Sequence, residues 1–330
     1  MTAQPEHATT VCRSWEELAV LGRPVHWAMG VFDGVHRGHR LVIESAAAPD
    51  ALRGVLTFDR HPLELICPAK APRLLVPDAG LKREFLASLG VDVLLELQFT
   101  PDLASLPATD FLDRLAAACP LAGVSVGANW RFGAGREGNV ELLRDEGVRR
   151  GFAVNVAPLI EVEGETVCSS AIRRHLKEGA FDRASAMLGH PFALAGVVEE
   201  GQRLARRWNF PTANLRPLFG AFPPCGAYAG RVHVEGEGAG VYAAVANFGL
   251  RPTVQQPERC ASPLLEAHLF SFDGSLYGRR IVVELLHFLR PERTFGSLDA
   301  LRQQIECDAR DAKAICGFLT GPLGDSRRVR

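Results

Sequence analysis

The stretch Trp27–Arg40, WAMGVFDGVHRGHR, decides the fold. Trp27, Ala28, Met29, Val31 and Phe32 read as a buried strand, Asp33-Gly34 as a turn, and Leu41-Val42-Ile43 as a helix already under way. His36-Arg37-Gly38-His39 therefore falls at a helix start, where backbone N–H groups lack partners within the helix and favour an anion. Gly38 has no Cβ, so a phosphate can approach the backbone between the two imidazoles. The same residues also suit a helix cap or part of a metal site, although no Cys or His cluster nearby completes a zinc set. Taken alone, the pattern leaves these readings open.

Working outward, apolar runs alternate with amphipathic stretches as far as Leu188. Strands are predicted at His26–Val31, Gly54–Phe58, Val91–Leu97, Gly123–Gly127 and Ala153–Ala157, and helices at Leu81–Leu89, Ala108–Ala117 and Val140–Gly151. Such alternation predicts an α/β domain with a Rossmann-like parallel sheet and helices on both faces. Ligands bind such sheets outside the carboxyl ends of the strands, which is where the two histidines fall.

After Leu188-Gly189-His190-Pro191 the texture changes. Phe192–Val198, Gly226–Val234, Val241–Asn247, Leu264–Phe270 and Arg279–Leu285 read as strands separated by Gly and Pro turns, which predicts an antiparallel β-barrel. A terminal helix at Ser297–Phe318 presents Leu298, Leu301, Ile305, Ala309, Ala312, Ile315 and Cys316 on one side, suited to covering that barrel. The expected division is one domain at 1–188 and a second at 189–330.

Composition narrows the function classes. With 37 Lys and Arg against 38 Asp and Glu, the chain carries a net charge of −1 and lacks the basic excess of a general nucleic-acid binder. The basic clusters Arg203–Arg207 and Arg327–Arg330 suit either phosphates or solvent. The cysteines are dispersed and none forms CxxC. The polar start MTAQPEHATT has no signal-peptide character, and no run has the length of a membrane span. A reduced, cytoplasmic, soluble protein is expected, with no nucleic-acid or membrane partner.

Several other stretches carry polar groups suited to chemistry. Phe58 can stack on a flat ring or fill a core, while His61-Pro62 shapes a loop. Asn129 precedes a glycine loop and can bond a phosphate, sugar or base edge, or simply form a turn. Ser169-Ser170 caps a helix that carries Arg173 one turn in. Thr212 and Asn214 supply hard oxygens suited to Mg2+, in what also reads as a plain turn at Pro211. Alternation through LLEAHLF sets Glu266 and His268 opposite Leu265, Ala267 and Leu269. A carboxylate on the concave face of a barrel strand could accept a hydroxyl proton, although taken alone Glu266 reads more readily as a surface carboxylate.

In order along the chain, GVFDGVHRGH, TFDRHP, VGANWRFGAGREG, CSSAIR, FPTANL, VANFGLRPT, LEAHLFSFDGSLYGRR and FLRPE closely resemble one family, the prokaryotic bifunctional riboflavin kinase/FMN adenylyltransferases, or FAD synthetases. The resemblance spans roughly 27–315. It implies an N-terminal nucleotidylyltransferase domain and a C-terminal flavokinase barrel. The substrates implied are ATP, riboflavin and FMN, with Mg2+ accompanying ATP and flavins as substrates and products. The protein is expected to be a monomer or weak homo-oligomer.

At the adenylyltransferase site the resemblance assigns catalysis to His36 and His39. It assigns ATP binding to Gly30, Phe32, Asp33, Gly38, Asn129, Ser169, Ser170 and Arg173, and flavin binding to Phe58, His61, Pro62 and Phe132. Cys168 stands where a Ser is common, and Ala171 where an Arg is frequent. At the kinase site it assigns ATP and Mg2+ to Gly201, Arg206, Pro211, Thr212 and Asn214, with Thr212 and Asn214 on the metal. Glu266 matches the base that activates the riboflavin 5′-hydroxyl. In GQRLARRWNFPTAN, Ala205 and Asn209 replace two family glycines and Trp208 a leucine. These departures motivate an alternative, an adenylyltransferase whose kinase module serves only to bind flavin. A non-catalytic flavin or nucleotide sensor is the third reading.

Overall fold

A computed structural model describes residues 8–200, 210–251 and 262–318. Contacts divide the chain into two compact units: residues up to Leu74 with Lys82–Ser169, and Leu75–Leu81 with residues from Ser170 onward.

The first unit holds a sheet of β1 (Thr10–Cys12), β2 (Val25–Met29), β3 (Leu52–Phe58), β4 (Val93–Leu97), β5 (Leu121–Gly127) and β6 (Ala153–Ala157). All neighbours are parallel, in the order β1-β4-β3-β2-β5-β6. The helices are α1 (Trp15–Ala19), α2 (Arg37–Glu44), α3 (Pro62–Ile66), α4 (Ala79–Ala87), α5 (Pro101–Ala104), α6 (Ala108–Ala118) and α7 (Val140–Arg150). From β2 the chain builds outward through β3 and β4, then returns to build the other way through β5 and β6. Right-handed crossovers therefore place helices on opposite faces, and the order reverses between β2 and β5. That reversal opens a crevice beyond the carboxyl ends of these two strands.

β2 is buried along its whole length, and its two large rings fit because neighbouring strands carry glycine. Trp27 pairs with Gly54, where a Cβ would stand 2.5 Å from the indole. His26 pairs with Gly123, where a Cβ would stand 2.5 Å from the imidazole, and its Nε2 meets Ser125 Oγ at 2.9 Å. Around Trp27 the core gathers Leu18, Met29, Leu56, Leu95, Phe111, Leu112, Leu115 and Val124. The edge strand β1 is too short to show a period in sequence and was not anticipated. The ribbon of β7 (Glu161–Val162) and β8 (Glu165–Thr166) escaped for the same reason.

In the second unit, α8 (Ser169–Lys177), of which only Ser169 belongs to the first, and α9 (Phe181–Leu188) precede a closed barrel of β9 (Phe192–Glu199), β10 (Ala213–Leu215), β11 (Gly226–Val234), β12 (Gly240–Arg251), β13 (Ser262–Leu269) and β14 (Arg280–Pro291). Its circuit β10-β13-β12-β11-β14-β9 is antiparallel throughout and closes where β9 pairs with β10. Leu194, Val198, Leu215, Tyr228, Val232, Phe248, Leu265, Val283 and Leu285 fill its interior. Strand β10 occupies the segment read from sequence as a Pro turn.

The helix α10 (Leu298–Phe318) covers part of the outer wall, packing Ala309, Ala312 and Cys316 against Ala229 and Phe270. Arg290 on β14 anchors it with a fork onto Asp308, at 3.0 Å from Nε to Oδ1 and 2.7 Å from Nη2 to Oδ2. Leu298, expected on the apolar side, stands exposed instead, because the barrel contact engages only the later turns. No helix among the described residues is long and apolar enough to cross a membrane.

The glycine pairs on β2 give a direct stability test. Gly54→Ala and Gly123→Ala each force a methyl into an aromatic ring and should cost about 1–3 kcal/mol. Thermal unfolding should show a lowered Tm for both, whereas Gly164→Ala, with nothing within 4 Å of its Cβ, should lose less despite its positive φ.

Candidate active sites

The turn after β2 is conformationally costly. Phe32, Gly34 and Val35 have φ of 52°, 86° and 40°, so two of the left-handed positions carry full side chains. Burial of Phe32 and Val35, at 1% and 3% exposure, holds them there. Asp33 is buried too, and its carbonyl accepts a hydrogen bond from Ser169 Oγ at 2.9 Å. That bond joins the loop after β2 to Ser169, the last residue of the same unit. Gly30 lies beside the Phe32 ring, whose nearest carbon would be 3.2 Å from a Cβ there.

The turn delivers His36 as the N-cap of α2, with Nδ1 accepting from His39 N–H at 3.3 Å. An accepting Nδ1 leaves the proton of the neutral ring on Nε2. The two imidazoles stack with centroids 3.5 Å apart and planes 16° from parallel, while Phe32 meets His39 edge-on. A Cβ on Gly38 would sit 3.3 Å from the His36 ring and 3.7 Å from the Val167 carbonyl oxygen. Glycine therefore keeps the helix start open to the loop before α8. His39 Nδ1 is buried without a hydrogen-bond partner. Burial, then the charges of His36 and Lys82, hold the His39 imidazole well below its ordinary pKa. A neutral imidazole carries one ring N–H, which it can offer to an anion.

The remaining predicted residues of this region take several roles. Phe58 is half-buried against Phe99, with ring centroids 5.0 Å apart. His61 caps α3 by accepting from Leu63 N–H, Glu64 returns the bond to His61 N–H, and Pro62 opens the helix. Phe132 is drawn into the core beneath a stacked, half-exposed Trp130, 4.4 Å between centroids. Asn129 is exposed in the loop after β5, on the other side of the crevice from the histidines. Ser169 meets Asp33 as described, Ser170 is exposed, and Arg173 is half-buried on α8.

Sequence reasoning passed over Lys82. Its ammonium donates to Thr57 Oγ1 at 2.9 Å, and that hydroxyl donates onward to the Val31 carbonyl at 3.1 Å. The available signal was a lysine one turn before the buried Phe85 and Leu86 on α4, a charge set on an apolar stripe.

The barrel gathers a second constellation. Across the strands Asn214 pairs with Glu266, and Glu266 pairs with Asn247, so these side chains share one face. That face is the outer one, which agrees with the surface reading of Glu266 and not with the concave one. The interior is filled by the alternate residues Leu215, Leu265, Ala267 and Phe248, and such a packed lumen leaves no room for a carboxylate. Another barrel carboxylate, Glu284, is fully buried and bound to Arg231 at 2.8 Å and His233 at 3.2 Å.

Asn214 Nδ2 donates to the Thr212 carbonyl at 3.3 Å, which turns its Oδ1 the other way. His268 Nδ1 donates to the Pro211 carbonyl at 2.8 Å and its ring lies edge-on to Phe210, tying the chain before β10 to β13. Burial, then the Lys313 charge, outweigh that bond and lower the His268 pKa. Thr212, Asn214, Leu269, Phe272, Gly274 and Tyr277 line a cleft here. Gly201 and Arg206, with Ala205, Trp208 and Asn209, lie outside the described residues. Among the described residues no group of three or more His, Cys, Asp or Glu could hold a metal, so an ion here would rely on Thr and Asn oxygens together with substrate phosphates.

Residues 21–171 match the sequence profile of FAD synthetase, and 188–316 that of riboflavin kinase. The chain is 37% identical over 294 residues to a bifunctional riboflavin kinase/FMN adenylyltransferase of Pseudomonas fluorescens, covering 87% of this chain and 91% of that one. It is 38% identical over 299 residues to the protein of the same name in Escherichia coli strain K12, covering 89% and 93%. The Bacillus subtilis strain 168 protein of that name is 32% identical over 86% of this chain and 90% of its own. Among solved structures, one titled macrolide-efflux protein from Streptococcus pneumoniae superposes with a TM-score of 0.75 at 26% identity, covering 91% of this chain and 97% of that one.

The imidazole stack has a measurable signature. In an NMR titration His39 should gain its proton below the ordinary value of 6.5. The unfolded chain then binds that proton first, so stability should fall as pH drops through 6.5 toward the folded-state value. His39→Gln should flatten that part of the acid limb, read as the urea midpoint of the first unit at successive pH values.

Proposed function

The chain belongs to the bifunctional riboflavin kinase/FMN adenylyltransferase family, and we propose from that premise which residues carry each reaction. It is a transferase that phosphorylates riboflavin to FMN with ATP and adenylylates FMN to FAD. The reading with a purely flavin-binding barrel is not favoured. We divide the chain into an adenylyltransferase domain at 1–188 and a kinase domain at 189–330. Supporting this boundary, α9 ends at Gly189 with φ of 75° and the first barrel strand begins at Phe192. We take the enzyme to be cytoplasmic, a monomer or weak homo-oligomer, and to act on small molecules without a nucleic-acid partner.

In adenylyl transfer, a phosphate oxygen of FMN attacks the α-phosphorus of ATP and pyrophosphate departs. His36 and His39, stacked at the start of α2, are assigned to the ATP phosphates and the charge that develops as the bond breaks. Gly38 and the first-turn N–H groups admit the same phosphates. Gly30, Phe32 and Asp33 shape the turn, while Asn129, Ser169, Ser170 and Arg173 are assigned to the rest of ATP. Phe58, His61, Pro62 and Phe132 are assigned to the flavin side. Phe132 and His61 serve it indirectly, through the Trp130 stack and the α3 cap.

In the kinase reaction, Glu266 takes the proton of the riboflavin 5′-hydroxyl as its oxygen attacks the γ-phosphorus, and ADP departs. The observation that carries this reading is the cross-strand pairing of Glu266 with Asn214, which sets a base beside a phosphate-side amide. Thr212 Oγ1 and Asn214 Oδ1 would hold the Mg2+ of Mg–ATP, with Gly201, Arg206 and Pro211 at the phosphates. When bound, the ion offsets charge on the transferred phosphoryl group. His268 acts as a positioning residue, holding Pro211 and thereby Thr212 against β13.

Purified, flavin-free protein with Mg–ATP should convert riboflavin to FMN and FMN to FAD, resolved by chromatography. Glu266→Ala should lower FMN formation by about 100-fold or more while sparing FAD formation from FMN. His39→Ala should do the reverse, by about 100-fold. Equal losses of both activities in either variant would refute the partition. His268→Asn, which keeps a donor near the Nδ1 position, should retain more kinase activity than His268→Gln, whose donor reaches farther, and the difference should appear in KM for ATP.

A further inference from the structure

The side chain of Lys82 enters the adenylyltransferase region from α4, a helix without an assigned role there. It is fixed by the relay from its ammonium to Thr57 Oγ1 and on to the Val31 carbonyl, which bridges the carboxyl ends of β2 and β3. Thr57 immediately precedes Phe58, at the flavin side, and Val31 immediately precedes the turn that delivers the histidines.

The surrounding acids already have partners. Glu96 on β4 takes both Nε and Nη2 of Arg83, the residue after Lys82. Asp59, after β3, accepts from Phe99 N–H and faces Arg60. Asp33 lies within electrostatic reach after β2, and His39 on α2 feels the Lys82 charge. An ammonium has three donors, and a half-buried one beside a phosphate-handling turn is suited to an anion.

We propose that Lys82 binds the phosphate of the attacking FMN, bringing one anion against the α-phosphate of another. The assignment rests on the adenylyltransferase reading above and adds a substrate contact to it. The reaction itself is unchanged: the new bond joins the FMN phosphate oxygen to the α-phosphorus, the bond to the β-phosphate breaks, and Lys82 keeps its proton. ATP, held by the histidines, does not need this amine, so the effect falls on one substrate.

Burial lowers the pKa of Lys82 to about 8, against the opposing pull of Glu96, Asp33 and Asp59 and with that of Arg83. The free enzyme should therefore lose the charged form as pH rises past that value. In the wild type kcat/KM for FMN should decline above pH about 8, a limb that Lys82→Arg moves upward and Lys82→Met abolishes.

The deciding experiment measures adenylyl transfer and riboflavin phosphorylation in wild type, Lys82→Met and Lys82→Arg. Methionine suits the apolar stripe and should keep the fold, checked by an unchanged melting profile and unchanged riboflavin phosphorylation. Lys82→Met should lower kcat/KM for FMN by about 100-fold with KM for ATP within about threefold, and Lys82→Arg should recover a large part. The His39 imidazole should also titrate higher in Lys82→Met, once the neighbouring positive charge is gone. A loss falling on KM for ATP, an equal loss in both reactions, or an unchanged kcat/KM for FMN overturns the proposal. Wild-type protein that makes no FAD from FMN would instead overturn the function on which it rests.

Discussion

The left-handed turn from Phe32 to Val35 is the constraint on which the first site depends. Two side-chain-bearing residues with positive φ are stable only if the fold holds them there, and here burial does so. Their rings and branches are locked in the core, so the backbone is bent where strand β2 gives way to α2. The bend sets His36 at the cap, and the cap brings the imidazoles face to face. Ser169, at the end of the same unit, then fastens the bent loop. A relaxed turn would leave the same residues in place in sequence and out of place in space.

The barrel obeys a different logic. Among the described residues its interior is filled by apolar side chains, and the residues we assign to the kinase reaction lie on the outer wall and in the chain entering β10. Register does the work there. Asn214, Glu266 and Asn247 stand side by side because antiparallel pairing aligns them, and His268 lies two residues farther along the same face. The carboxylate of Glu284 illustrates the contrast, since its ion pairs commit it to structure. Both carboxylates stand on the same outer face of the barrel, so what separates them is burial and partner: Glu284 is fully buried against Arg231, whereas Glu266 is partly exposed.

Much of this was legible from residue order. The strands of the parallel sheet were readable because burial on both faces leaves long apolar runs such as Val93–Leu97. The barrel strands were readable because alternation repeats between Gly and Pro turns. Short elements were not: Thr10–Cys12 and Ala213–Leu215 hold too few residues to express a period, and their strand character comes from their partners. Alternation also fixed that Glu266 opposes Leu265 without saying which of those faces is inside, a property of closure. Lys82 was hidden because a lysine on a helix is ordinary, and only the approach of Thr57 and Asp33 distinguishes it.

The barrel is closed by β10, a strand of 3 residues that also carries Asn214 and follows directly on Thr212. So short a seam has few ladder bonds with which to resist opening, and opening it would scatter Thr212 and Asn214, the groups we propose for Mg–ATP. By linkage, a ligand that engages only the sealed form raises the free energy of breaching the seam. On that proposed assignment substrate becomes part of the architecture of this half of the molecule: the enzyme at work would be a sturdier object than the enzyme at rest.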